Sequence, residues 1–78
     1  MTLTLDVRGL RCPLPLLRAR AELPALAPGD VLVVLATDPE APIDLAALAE
    51  DERLEFAATA EGDGWRIELR RPPGARRV

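Results

Sequence analysis

Leu3, Leu5 and Val7 alternate with Thr4, Asp6 and Arg8, the period-two pattern of a strand with one buried face, and Gly9 permits a sharp exit from it. Val31 to Ala36 is an unbroken apolar run of strand length, closed by Thr37-Asp38-Pro39, and reads as a central strand. Leu54, Phe56 and Ala58 alternate with Glu55 and Thr59. Turn residues Glu61-Gly62-Asp63-Gly64 follow, and then Trp65, Ile67 and Leu69 alternate with Arg66, Glu68 and Arg70. This predicts a hairpin with Trp65 on its inner face beside Phe56. Between the strands the period changes. Pro13 suits the first residue of a helix, which makes Cys12 its N-cap. Leu14, Leu17 and Ala21 then fall on an inner face, with Arg18 and Arg20 outside, and Pro24 ends or kinks the helix near Leu23. A second helix is expected from Pro42 to about Ala49, with Leu45 and Leu48 inward and Asp44 near its positive end.

The order β-α-β-α-β-β, with right-handed crossovers, makes the first two strands parallel and the last two antiparallel. The fold class expected is therefore an α/β (α+β) two-layer sandwich, with a four-stranded mixed sheet and both helices on one face. The opposite face stays open, and Leu32 and Val34 are expected on it. Residues 1–71 read as a single domain and 72–78, rich in Pro, Gly and Arg, as a disordered tail.

At 78 residues the chain has room for one core worth about 3–5 kcal/mol of net stability. Its one cysteine cannot pair within the chain, and with no His a structural zinc cluster is out of reach, so packing alone must hold the fold. No metal or cofactor is expected. No apolar run is long enough to cross a bilayer and the first residues do not resemble a signal peptide, which points to a cytoplasmic protein with a reduced thiol.

Composition excludes more than it suggests. The chain contains no His, Ser, Tyr, Lys, Asn or Gln, so a catalytic triad, a Cys-His dyad, a lysine Schiff base and a P-loop lysine are all impossible within it. Residues 1–23 carry a net +2, residues 24–63 a net −9 and residues 64–78 a net +4. Arg70, Arg71, Arg76 and Arg77 cluster near the end, but no aromatic residue is interleaved with them. Direct nucleic-acid binding is not expected; a solubilising tail or a rim for an acidic protein partner fits better.

Cys12-Pro13-Leu14-Pro15 concentrates the available chemistry. A thiol at a helix N-cap, with Arg11 and Arg8 nearby, is expected to ionise easily, and the two prolines give it a stiff mount. The competing reading is a small buried apolar side chain. A reactive Cys12 without an internal base or a second cysteine is left with exchange at sulfur: it accepts a sulfane sulfur as Cys12-S-SH and surrenders it to another thiol.

Leu5-Asp6-Val7-Arg8-Gly9-Leu10-Arg11-Cys12-Pro13-Leu14-Pro15, followed by Pro28-Gly29-Asp30, Asp38-Pro39 and Asp44-Leu45, resembles the TusA/SirA-like sulfur-carrier family over residues 3–71. The resemblance implies a sulfurtransferase that acts as a covalent persulfide carrier, with Cys12 catalytic and Gly9, Arg11, Pro13 and Pro15 as its supporting motif. It implies a donor protein, either a cysteine desulfurase or a rhodanese, and a thiol-bearing acceptor protein in tRNA thiolation, molybdenum-cofactor assembly or sulfur oxidation. Asp38 and Asp44 then match acidic positions near the second helix, with a capping or partner-contact role, and Arg8, Arg11 and Arg18 are expected to form a basic rim that recruits an acidic donor. The family commonly has glycine where this chain has Arg53, so the helix exit must place a non-glycine residue at positive φ or use another turn. The alternative function is a regulatory or protein-binding module of the same fold without persulfide chemistry.

Overall fold

The structure, a computed structural model, describes residues 1–73. Its elements are β1 (Thr2–Asp6), α1 (Leu14–Glu22), a 3₁₀ turn (Leu23–Ala25), β2 (Val31–Ala36), α2 (Ala41–Glu52), β3 (Glu55–Glu61) and β4 (Gly64–Arg70). They form one mixed sheet of order β1-β2-β4-β3, with β1 parallel to β2 and β4 antiparallel to both β2 and β3. This is the expected two-layer β-α-β-α-β-β arrangement. The hairpin docks through its second strand, which leaves β3 at the edge, where every residue is exposed.

Register assigns the faces. Leu3, Leu32 and Leu69 align across the sheet, as do Leu5, Val34 and Ile67, and these rows meet the helices over a core that includes Val7, Ala19, Leu45 and Leu48. Leu32 and Val34 are thus fully buried beneath the helices and do not lie on the open face as expected. Because a strand alternates with period two, an all-apolar run carries no signal of which set points inward. The open face receives Val31, Val33 and Leu35. Val33 is still only 2% exposed, flanked in register by Thr4 and Glu68.

Phe56 and Trp65 do share the helix-side face, but they are not neighbours. Phe56 aligns with Leu69 and Trp65 with Ala60, at opposite ends of the hairpin. Trp65 is half-buried against the core, whereas Phe56, on the edge strand, stays 38% exposed.

Both helices depart from their expected limits. The first begins at Leu14, one residue later than expected, so Pro13 is its N-cap and Cys12 precedes the helix. It buries Pro15 and Ala19, with Leu23 continuing the same four-residue spacing, while Leu14, Leu17 and Ala21 are exposed. Leu16 also packs against the core, while Leu14 and Leu17 are left outside it. Pro24 sits in the 3₁₀ turn, where the α-helix has already ended. The second helix runs past Ala49 through the exposed Glu50, Asp51 and Glu52, with no Pro or Gly to stop it before the left-handed cap at Arg53. Arg53 adopts φ 60° and its N–H reaches the Ala49 and Glu50 carbonyls, the left-handed cap that glycine would occupy with less strain. The expectation of a disordered tail falls mostly on residues 74–78, outside the described residues.

Candidate functional site

Cys12 lies at the end of the β1–α1 connection, where two backbone devices turn the chain. Gly9 takes φ 85° and gives its N–H to Thr37 Oγ1 at 2.9 Å, and the Leu10 N–H bonds back to the Val7 carbonyl at 3.1 Å. Positive φ is what makes a residue without Cβ useful at this point. The Cys12–Pro13 peptide is cis. The thiol is exposed, which removes the reading of Cys12 as a buried apolar side chain.

The groups that meet Cys12 are acidic. Its backbone N–H donates to Asp38 Oδ2, and the other Asp38 oxygen accepts the Glu40 N–H at 2.8 Å, so one carboxylate ties the cysteine loop to the start of α2. The thiol itself donates to Asp44 Oδ2 at 3.2 Å. The hydrogen bond to Asp44, partial desolvation and the nearby charges of Asp44, Asp38 and Glu40 push the Cys12 thiol up from its ordinary value. The helix start offers little to oppose them: Pro13 and Pro15 have no N–H, and the Leu14 N–H is taken by the Arg11 carbonyl at 2.8 Å. The expectation of an easily ionised thiol is therefore overturned. Asp38 is held low by the Glu40 and Cys12 backbone N–H groups, aided by the Arg11 charge.

None of the arginines expected to form a basic rim is among the charges that act on the thiol. Arg8 turns to Asp6, bonding Oδ1 through Nε at 2.9 Å and Oδ2 through Nη2 at 2.7 Å, and lowers that carboxyl to about 2. It also borders a cavity with Gly62, Asp63 and Trp65, at the β3–β4 turn. Arg18 is on the exposed side of α1 and is not among the charges that act on the thiol. Only Arg11 stays close, acting on Asp38 across a cleft of about 580 Å³ lined by Gly9, Leu10, Arg11, Thr37, Asp38 and Pro39. Arg71 is structural: its guanidinium donates to the Leu26 and Leu23 carbonyls, which close the 3₁₀ turn.

Sequence reasoning missed three exposed apolar side chains on the helices that carry the site. Leu14 and Leu17, 46% and 47% exposed, follow the cysteine on α1, and Ile43, 65% exposed, immediately precedes Asp44 on α2. Nothing in the local pattern marks them: Leu14 and Leu17 are exposed because α1 buries Pro15 and Ala19 instead, and Ile43 because α2 buries Ala41, Leu45, Leu48 and Ala49. The site thus presents an exposed thiol beside carboxylates, with no second cysteine in the chain to close an internal disulfide.

The family model described as Sulfurtransferase TusA matches residues 3–71. A relative in Neisseria meningitidis is 49% identical over 61 residues, which cover 78% of this chain and 82% of that one. The sulfur carrier protein TusA of Allochromatium vinosum is 45% identical over 60 residues, 77% of this chain and 79% of that one. The crystal structure of a SirA-like protein from Desulfitobacterium hafniense superposes with a TM-score of 0.78 at 27% identity, covering 88% of this chain and 95% of that one. Among the described residues no helix is long and apolar enough to cross a membrane.

Proposed function

From the chain's membership of the TusA sulfurtransferase family, we propose that it is a sulfur carrier, accepting a sulfane sulfur as a persulfide on Cys12 and relaying it to an acceptor protein. The observation that carries the reading is the placement of the only thiol: exposed, at the end of a turn braced by Gly9 and Asp38, ahead of a helix that exposes Leu14 and Leu17 and beside Asp44, whose neighbour Ile43 is exposed. Exposed apolar side chains on these elements fit protein docking, because contact with a partner removes those side chains from water. The donor is a cysteine desulfurase or a rhodanese. The acceptor is a protein thiol that attacks the terminal sulfur, whether the sulfur ends in tRNA thiolation, molybdenum-cofactor assembly or sulfur oxidation.

Incubation with a cysteine desulfurase and free cysteine, or with a persulfide-loaded rhodanese, is expected to add one sulfur atom at Cys12, visible by intact-protein mass spectrometry and removed by dithiothreitol. Cys12→Ser keeps the backbone N–H that Asp38 accepts, so it should stay folded while losing the increment. A folded wild-type protein that none of these donors loads would leave the binding-module reading in place of the carrier.

A further inference from the structure

We infer that Asp44 is a positioning residue for transfer at Cys12: its carboxylate aims the unloaded sulfur as a hydrogen-bonded S–H and receives that proton when the sulfur attacks a donor persulfide. The inference rests on the carrier reading and deepens it. Asp44 is suited to this task by its mount. It lies in the first turn of α2, with its N–H bonded to the Glu40 carbonyl at 2.9 Å, so its side chain projects from a rigid element. Among the described residues that side chain forms no ion pair and no hydrogen bond except the one from Cys12 Sγ at 3.2 Å. Asp6, Asp30 and Asp38 by contrast are engaged by an arginine, by the N-terminus or by backbone N–H groups.

A single hydrogen bond from a thiol does not by itself fix a direction, since the S–H group rotates and donates weakly. Here a second tether removes much of that freedom. Asp38 holds the Cys12 backbone N–H from the β2–α2 connection, so the cysteine is gripped at its main chain and at its sulfur by two carboxylates. The charged groups facing the thiol are Asp38 and Glu40 from that connection, Asp44 from α2, and Arg11 from its own segment, which acts on Asp38. Their balance is negative, which favours S–H over thiolate in the undocked protein and agrees with the upward displacement of the thiol. The free carrier is thereby kept from indiscriminate reaction.

On transfer the Cys12 S–H bond breaks and its proton passes to Asp44. A new S–S bond forms from Sγ to the donor's terminal sulfur, and the donor's own S–S bond breaks. The departing donor sulfur keeps the electron pair and collects the proton as a thiol. Cys12 sulfur is oxidised as the donor sulfur is reduced, so no outside oxidant enters.

The test compares wild type, Asp44→Asn and Asp44→Glu as full chains, measuring iodoacetamide alkylation across pH, melting temperature and persulfide loading by a cysteine desulfurase. Asp44→Asn should move the alkylation midpoint to lower pH. Neutral-pH alkylation should rise by about threefold for each unit of that movement, because thiolate abundance grows faster than nucleophilicity falls. Its ratio of loading rate to alkylation rate should fall below wild type, since the sulfur is more ionised but no longer aimed, and Asp44→Glu should restore the midpoint. A purely structural Asp44 would change the melting temperature and leave the midpoint in place, and that result overturns the inference while wild type still loads. Failure of wild type to load would instead remove the carrier reading itself.

Discussion

Arg71 offers a quantitative test of how this fold is held, because its side chain spans 45 and 48 residues of sequence to reach two main-chain carbonyls. Nε donates to the Leu26 carbonyl at 2.9 Å and Nη2 to the Leu23 carbonyl at 3.1 Å. Arg71→Ala removes both, yet keeps the main-chain bonds that tie Arg71 to Gly29 and Asp30. The Leu23 carbonyl retains the Leu26 N–H at 2.9 Å, so most of the loss falls on Leu26. This is about 1.5 kcal/mol for Leu26, the low end for charged hydrogen bonds, and about 0.5 for Leu23, whose carbonyl keeps another donor, or about 2 kcal/mol together. Against a stability of about 3–5 kcal/mol, that is a large fraction. Thermal unfolding followed by circular dichroism should show a Tm lower by about 8–16 °C. Arg71→Lys, whose ammonium reaches one carbonyl at a time, should lose about half as much. A loss below about 0.5 kcal/mol in Arg71→Ala would refute the reasoning, since it would mean that water replaces the guanidinium without cost.

Gly64→Ala should be the more damaging of two turn substitutions: its Cβ would lie 2.3 Å from the Ala36 carbonyl oxygen, against backbone that cannot rotate away, whereas a Cβ at Gly62 meets nothing within 4 Å and suffers only from φ 62°. Urea titration should show a loss of about 3 kcal/mol or more for Gly64→Ala and about 1 for Gly62→Ala, and equal losses would argue against the close approach of β4 to the end of β2. Ile43→Ser should leave the urea midpoint within about 0.5 kcal/mol of wild type, because the side chain is exposed, while slowing loading by a protein donor; unchanged loading would remove Ile43 from the docking border. Stability should fall in acid. Asp6, Asp30 and Asp38 all have carboxyls held below their ordinary value, Asp6 to about 2, so what they contribute is present above the unfolded value of 3.8 and lost as pH drops through the folded ones. A circular-dichroism titration that stayed flat from neutral pH to about 2 would contradict those pairings.

Alternation of apolar and polar residues was enough to locate β1 and the hairpin, because neighbouring positions in a strand must face opposite ways. The prolines near Cys12, Pro24 and Pro42 marked helix ends for an equally local reason, their fixed φ and missing N–H. These are properties of adjacent residues, and the exit of the chain at Gly9 and the exposure of Cys12 at an element end belong with them. What the local pattern could not carry is rotation and partnership. Pro15, Ala19 and Leu23 and the stripe beginning at Leu14 both have helical spacing, and only tertiary packing decided that the first of them is buried. Likewise, Arg8 and Arg11 are near Cys12 in sequence, but Arg8 satisfied its charge on Asp6, two residues away. The groups that set the thiol's character, Asp38 and Asp44, come from 26 and 32 residues further along the chain. Electrostatic character depends on distance in space, and the crossover from β1 through α1 to β2 brought acids, not arginines, to the sulfur.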